Sequence, residues 1–340
     1  MKVSMYYSNK DIRLEDMPIP KVSSSEILMK VTASGICGSD VMEWYRIHKV
    51  PLVLGHEVAG TVEKVGKNVS GFKKGDRIVA THHVPCYKCQ YCLNGHESVC
   101  DTIRSTSFYP GGFSEYIQLP KINVKTGTIK IPKNVTDCDA TFAEPLGCVL
   151  RGQRLLGSAK GKRVLIIGSG ISGLLHVKTA KYSKAKSIVA TDIDLYRLKQ
   201  AKKFGANFTI NAKEDVSKKV KKYFKGKLAD LVILCAGSTT AIKQGLDSVE
   251  RGGTVLVFTA AARGAGFPRS INEMFWRNEL TVLSSYAASG PDLKQAIDLI
   301  AKKKIVVSDM ITHKFSLKDT KKGFGLVLKP NKSMKIIIKP

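Results

Sequence analysis

The chain has no continuous apolar run long enough to cross a bilayer, and Met1–Asp16 interleaves charged with apolar side chains. The expectation is a protein without a membrane segment or a secretory leader. It also has no internal repeat and no low-complexity stretch, which excludes solenoids and disordered tails. Acidic residues are scarce: 28 Asp and Glu stand against 55 Lys and Arg, a net charge of +27. An excess of that size raises the question of nucleic acid. Yet the lysines are scattered, with short clusters only at Lys218–Lys227, Lys302–Lys304 and Lys321–Lys322, and no aromatic RNA-binding motif lies beside them. The charge predicts a solvated surface, then steering of an anionic substrate, and only last a nucleic-acid partner.

What is present is informative. Cys86-x2-Cys89-x2-Cys92-x7-Cys100 places four thiols at spacings that enclose a tetrahedral, soft cation. Four cysteines leave zinc no open position, so this site is expected to be structural, stapling a lobe at 82–102 that has no core of its own. Cys138, Cys148 and Cys235 stand alone, and Cys148 reads as a small buried hydrophobe. Metal binding in a reducing cytoplasm explains this usage better than a disulfide framework.

At 340 residues the chain suits two domains. Up to about residue 150 it reads as β-rich, with strands at Glu26–Val31, Glu57–Val65, Asp76–Ala80 and Gly112–Leu119. A helix over Thr141–Leu156 marks the change. From 151 to 288 short apolar strands alternate with helices, including Val164–Ile167, Ser172–Tyr182, Ser187–Thr191, Leu195–Phe204, Leu231–Cys235, Thr239–Val249, Gly253–Thr259 and Leu280–Ser285. That alternation predicts an α/β fold with a doubly wound parallel sheet. Residues 289–340 carry a helix, Leu293–Lys303, and a β-like tail, Lys335–Ile338, expected to return to the first domain.

Within the second domain, Gly168-Ser-Gly170-Ile171-Ser172-Gly173 follows a strand and opens a helix. In that context glycines permit a tight turn and let the backbone approach a pyrophosphate at the helix N-terminus. Asp192 ends the next strand, where an acid accepts from the ribose hydroxyls of NAD and repels the extra phosphate of NADP. Arg197 lies near enough to cap the ribose or relax that preference.

Cys37 in Gly35-Ile-Cys-Gly-Ser-Asp40, His56 in Gly55-His-Glu57, the cysteine lobe, Gly111-Gly-Phe-Ser-Glu-Tyr116 and the glycine run occur in this order. Together they make the chain similar to the zinc-containing medium-chain dehydrogenases, closest to the polyol branch of sorbitol, threonine and galactitol-phosphate dehydrogenases. The resemblance implies a GroES-like catalytic domain interrupted by a Rossmann domain, with two zinc ions per chain and NAD. It implies Cys37, His56 and Glu144 as protein positions around a catalytic zinc, with Glu57 binding the metal or holding its water. Ser39 matches the hydroxyl that receives the substrate proton. Met42 stands where relatives often carry a histidine that passes this proton outward.

The implied reaction is hydride transfer from a polyol, sugar or other secondary alcohol to NAD, giving a ketone. An alternative reading is a non-catalytic zinc protein that binds nucleic acid on the same fold. Arg46 and Arg104 are candidates for pairing with a phosphate or carboxylate on the substrate. The resemblance further implies a homodimer or homotetramer.

Overall fold

The structure is a computed structural model that describes residues 1–261, 264–329 and 332–340. The chain folds as two compact units, Met1–Gly147 together with Ala287–Pro340, and Cys148–Tyr286. No helix among the described residues is long and apolar enough to cross a membrane.

The first unit is organised by Ile27–Gly35. This strand is buried along nearly its whole length, as a central strand must be when both faces are covered. It pairs antiparallel with Glu57–Val65, with Tyr116–Leu119 and, at its C-terminal end, with Lys335–Lys339. The sheet runs in the order Ile311–Ser316, Lys335–Lys339, Ile27–Gly35, Glu57–Val65, Arg77–Ala80, Thr128–Lys130. Met29, Val62, Ile78, Ile117 and Leu119 fill one side of it. Val3 and Tyr6 of the N-terminal hairpin pack with Ile36, Phe113, Phe324 and Ile336 in a second cluster. The register brings Ile337 opposite Gly35, so the C-terminal strand reaches the loop that carries Cys37.

The cysteine lobe leaves this sheet after Arg77–Ala80. Its helical pieces are single turns, Gln90–Leu93, Glu97–Val99 and Asp101–Ser105. Pieces this short do not hold together by helix propagation.

The second unit is a parallel sheet whose order, counted along the chain from Arg163–Ile167, is 3-2-1-4-5-6. This is the doubly wound dinucleotide-binding arrangement. Arg163–Ile167 lies between Ser187–Asp192 and Ala229–Leu234, so the direction of winding reverses at its C-terminal end. The glycine run begins there. Leu165, Val189, Val232, Val255 and Leu246 belong to one buried cluster on the sheet. Two boundaries depart clearly from expectation: the strand expected over Gly112–Leu119 is Tyr116–Leu119, and the helix beginning at Thr239 ends at Leu246, where Val249 opens the strand Val249–Val257. Gly252 and Gly253 sit inside that strand, and their low strand propensity hides its first half from a sequence reading.

Candidate metal centres and nucleotide site

The Cys86, Cys89, Cys92 and Cys100 sulfurs all lie within 4.8 Å of one another. Cys89 and Cys92 are 3.6 Å apart, and Cys86 and Cys92 are 4.0 Å apart. The edge of a tetrahedron with metal–sulfur bonds of about 2.3 Å is about 3.8 Å, so the donor set fits zinc. Backbone N–H groups point at these sulfurs: Cys89 N–H donates to Cys86 Sγ at 3.3 Å and Cys86 N–H to Cys100 Sγ at 3.5 Å. Burial and the neighbouring Cys89 thiol push Cys92 up to about 12. Against burial, the Cys86 N–H and the Thr102 hydroxyl hold Cys100 down to about 6. Four thiols this close do not all ionise unless a cation shares their charge.

The second cluster is built by two sheet strands ending side by side. Ile27–Gly35 delivers Cys37 just past its end, and Glu57–Val65 delivers His56 and Glu57 at its start, with Gly35 opposite Glu57. Ligand atoms of Cys37, His56 and Glu57 lie within 4.8 Å of one another. Asp40, fully buried, turns back on the loop: one carboxylate oxygen accepts from Cys37 N–H at 2.9 Å and the other lies 3.3 Å from His56 Nδ1. That contact leaves His56 Nε2 as the free ring nitrogen, the arrangement a carboxylate imposes on a metal-binding histidine. Burial alone would lower the His56 pKa, but Asp40 and the Cys37 sulfur hold it well above the ordinary value. The pocket thus stabilises positive charge at this place, which is what a divalent cation supplies.

Glu57 has a second partner that the sequence did not suggest. Lys335, from the C-terminal strand, is as buried as Glu57 and forms an ion pair with it, while also donating to the Ile36 carbonyl at 3.3 Å. Asp40 was legible as an acid three residues after Cys37 but drew no role. Lys335 gave only a weak signal, a single lysine heading an Ile-Ile-Ile strand.

Glu144 does not join the three ligand atoms that close on one another; it is buried in the first turn of Ala143–Leu156. Cys148 on the same helix is half-buried rather than the fully buried hydrophobe expected. Ser39 N–H lies 3.5 Å from Cys37 Sγ, and the Ser39 carbonyl accepts from Arg46 Nε at 3.2 Å. The His82 ring lies 4.8 Å from His56 and 3.7 Å from His83. Burial, reinforced by the His56 charge, pushes His82 well below its ordinary pKa and His83 down to about 4.

In the second unit, Gly168 adopts φ +91°, open to glycine at little cost. A Cβ on Gly173 would collide with the Gly168 carbonyl, whereas one on Gly170 would meet open space. Gly173 therefore serves strand–helix packing, and Gly170 leaves room for a ligand at the start of the helix Ile171–Tyr182, whose first residues Ile171 and Ser172 are half-exposed. Asp192 accepts from Ser169 N–H at 2.8 Å and from Asp194 N–H at 2.9 Å, with Arg197 Nη1 4.0 Å away. These contacts hold its carboxylate beside the glycine turn, a position that fits a nucleotide ribose.

Residues 23–133 match the alcohol dehydrogenase GroES-like domain, and residues 172–302 match the zinc-binding dehydrogenase domain. The chain is 34% identical to an L-threonine 3-dehydrogenase of Bacillus licheniformis over 93% of its length and 92% of the relative's. It is 31% identical to a sorbitol dehydrogenase of Gallus gallus, covering 97% and 93% of the two chains. A zinc-binding dehydrogenase from Sinorhizobium meliloti 1021, solved bound to NADP, superposes with a TM-score of 0.88 at 28% identity, covering 100% of this chain and 99% of that one.

Proposed function

The chain belongs to the zinc-binding dehydrogenases, and on that premise we propose that it oxidises a polyol, sugar or other secondary alcohol to a ketone with NAD as hydride acceptor. The observation that carries this reading is the convergence of Cys37, His56 and Glu57 within 4.8 Å, with Asp40 orienting the imidazole. Cys37 and His56 would hold the catalytic zinc, with Glu144 and Glu57 as the acidic groups assigned to it, and Cys86, Cys89, Cys92 and Cys100 would hold the structural one. Bound zinc would supply a Lewis acid that makes an alcohol proton easier to remove, and bound NAD would supply the hydride acceptor.

The protein's own groups do the rest. Asp40 fixes the ring of His56 and the backbone of Cys37. Lys335 occupies one carboxylate oxygen of Glu57 and so limits how far that side chain can turn. Ser39 receives the proton of the substrate hydroxyl. Similarity to a threonine and a sorbitol dehydrogenase supports a substrate with more than one polar group.

Asp192 supports NAD over NADP. Asp192→Asn keeps the shape and, through its one carbonyl, the Ser169 contact, but removes the charge and the acceptor for Asp194 N–H. It is expected to weaken NAD about 10-fold, a charged hydrogen bond being worth about 1.5–3 kcal/mol, and to raise the relative use of NADP. Steady-state kinetics with both cofactors decide this; an unchanged NAD/NADP ratio would remove Asp192 from the selection.

The reaction itself is tested by nicotinamide absorbance at mildly alkaline pH against free polyols, phosphorylated polyols and hydroxy acids, with and without a chelator. Chelator-sensitive reduction of NAD by one class is the expected result. Silence of the zinc-loaded protein on every alcohol would sink the proposal.

The cytoplasm is the proposed compartment, because the clustered cysteines are arranged as a metal shell that needs reduced thiols. A homodimer or homotetramer is the proposed assembly. Thr281–Ser284 ends its sheet with an open edge, and Ile271, Trp276 and Tyr286 beside it in sequence are exposed at 76%, 68% and 54%. Light scattering at micromolar concentration tests this, a monomer being the adverse result.

A further inference from the structure

We propose that Arg46 anchors a subsite for an oxyanion carried by the alcohol substrate, which narrows that substrate to a hydroxy acid or a phosphorylated polyol. The inference rests on the dehydrogenase reading and names the substrate class of the same site.

Arg46 closes the one-turn helix Glu43–Arg46 that follows the Cys37–Asp40 turn. Its Nε donates to the Ser39 carbonyl at 3.2 Å, so the guanidinium is tied to the loop that carries Cys37 and Ser39. The Tyr45 ring lies 4.8 Å from the guanidinium carbon and stiffens it from one side. One of five guanidinium donors is thereby used. The side chain makes no ion pair among the described residues, and the carboxylates that could supply one are committed elsewhere. Asp40 is held by Cys37 N–H and His56, Glu57 by Lys335, and Glu43 accepts from Asn9 N–H at 2.9 Å.

The remaining groups facing this place do not neutralise the charge either. The His82 ring is tilted against those of His56 and His83, and its Nδ1 is buried without a hydrogen-bond partner. The result is a half-buried, fork-shaped cation with spare donors, next to the proposed reacting groups and without an ion pair among the described residues. A neutral polyol would bring only hydroxyl dipoles to it. A carboxylate or phosphate brings the charge and the paired acceptors that a guanidinium binds bidentately. The +27 net charge adds long-range attraction for such a substrate.

The test uses zinc-loaded full-length protein, with Arg46→Met beside Lys67→Met, which removes one positive charge at an exposed turn. Kinetics compare 3-hydroxybutyrate with 2-butanol, and sorbitol 6-phosphate with sorbitol, which separates carboxylate from phosphate. For one pair the anionic member is expected to be preferred. In Arg46→Met that preference falls at least about 30-fold, mainly through KM, while Lys67→Met leaves it unchanged. Calorimetry with acetate and with inorganic phosphate, NAD being saturating so that its own phosphate site is filled, reads the subsite without turnover. One of the two anions should bind at least about 10-fold more weakly to Arg46→Met.

Alcohol oxidation with no anionic preference, or with equal losses on both members of each pair, overturns the subsite and leaves the dehydrogenase standing. Arg46-dependent anion binding without any alcohol oxidation overturns the dehydrogenase reading and leaves the subsite standing. Absence of Arg46-dependent binding of either anion overturns the subsite.

Discussion

Replacing Cys89 with serine is expected to lower the metal content from two to one per chain and the melting temperature by about 10 °C. The lobe has almost nothing else to hold it. Its helices are single turns, and Tyr91, Leu93 and Val99 are exposed at 40%, 75% and 42%. Val84, Cys100 and Ile103 are its buried apolar contributions. In small zinc domains the metal supplies roughly 10–16 kcal/mol of folding free energy. Here only the local part is at stake, so a loss of about 3–5 kcal/mol is the expected scale. At about 2–4 °C per kcal/mol for a unit of this size, that gives the stated shift. The damage should also spread, because the Tyr87 hydroxyl accepts from Gly290 N–H at 3.1 Å and so ties the lobe to the start of the helix Gly290–Ala301. Elemental analysis with calorimetric melting checks both numbers. An unchanged melting point with one metal lost would mean that the lobe is an ornament on the sheet.

The lobe was readable in the sequence because zinc ligation is written in local spacing. The same holds for Gly168–Gly173 and for the strand before it, where an apolar run ends in a turn that only glycine adopts cheaply. Leu195–Phe204 matches its expected bounds because Asp194 caps it, accepting from Tyr196 and Arg197 N–H, and Gly205 ends it at φ +126°. Other elements were invisible for physical reasons. Phe208–Asn211 has four residues, too few for a period to show, and Val216–Tyr223 is so rich in lysine that it reads as a charge cluster. The hairpin Lys2–Ser8 with Asp11–Asp16 alternates poorly, since its second strand is largely exposed. Ile311–Ser316 and Thr320–Leu328 are short and partly exposed, and they are held in place by the C-terminal strand.

The site divides the same way. Cys37, His56 and Glu57 lie in short motifs and can be found by eye. Lys335 reaches Glu57 across 278 residues of chain, and the His56–His82 contact depends on two strands meeting in the sheet. Pairings of that range are set by tertiary packing, and no local pattern announces them.

The Glu57–Lys335 pair carries the second large effect. Lys335→Met should destabilise the metal-free protein by about 3–5 kcal/mol, the cost of leaving one member of a buried ion pair without its partner. Both side chains are 1% exposed, so water cannot replace the lost contact. Room for the pair depends on Gly35, where any Cβ would strike the Glu57 carboxylate and the end of the Lys335 side chain. The double variant Lys335→Met/Glu57→Gln removes both charges and should recover most of the loss, since apolar or neutral replacements of a whole buried pair are often close to neutral. Zinc loading should also recover part of it in the single variant. Glu57 lies within 4.8 Å of the Cys37 and His56 donor atoms, so a cation held there takes over some of the compensation. Urea titrations of chelated and zinc-loaded protein measure these differences, and cobalt-substituted spectra report whether the freed carboxylate joins the metal. Equal costs for the single and double variants, with or without metal, would show that Lys335 packs beside Glu57 without balancing its charge. The expected ordering is a single variant weakest when metal-free, improved by zinc, and a double variant that zinc improves less. That ordering would make the C-terminal strand part of the metal centre's electrostatics as well as of the sheet.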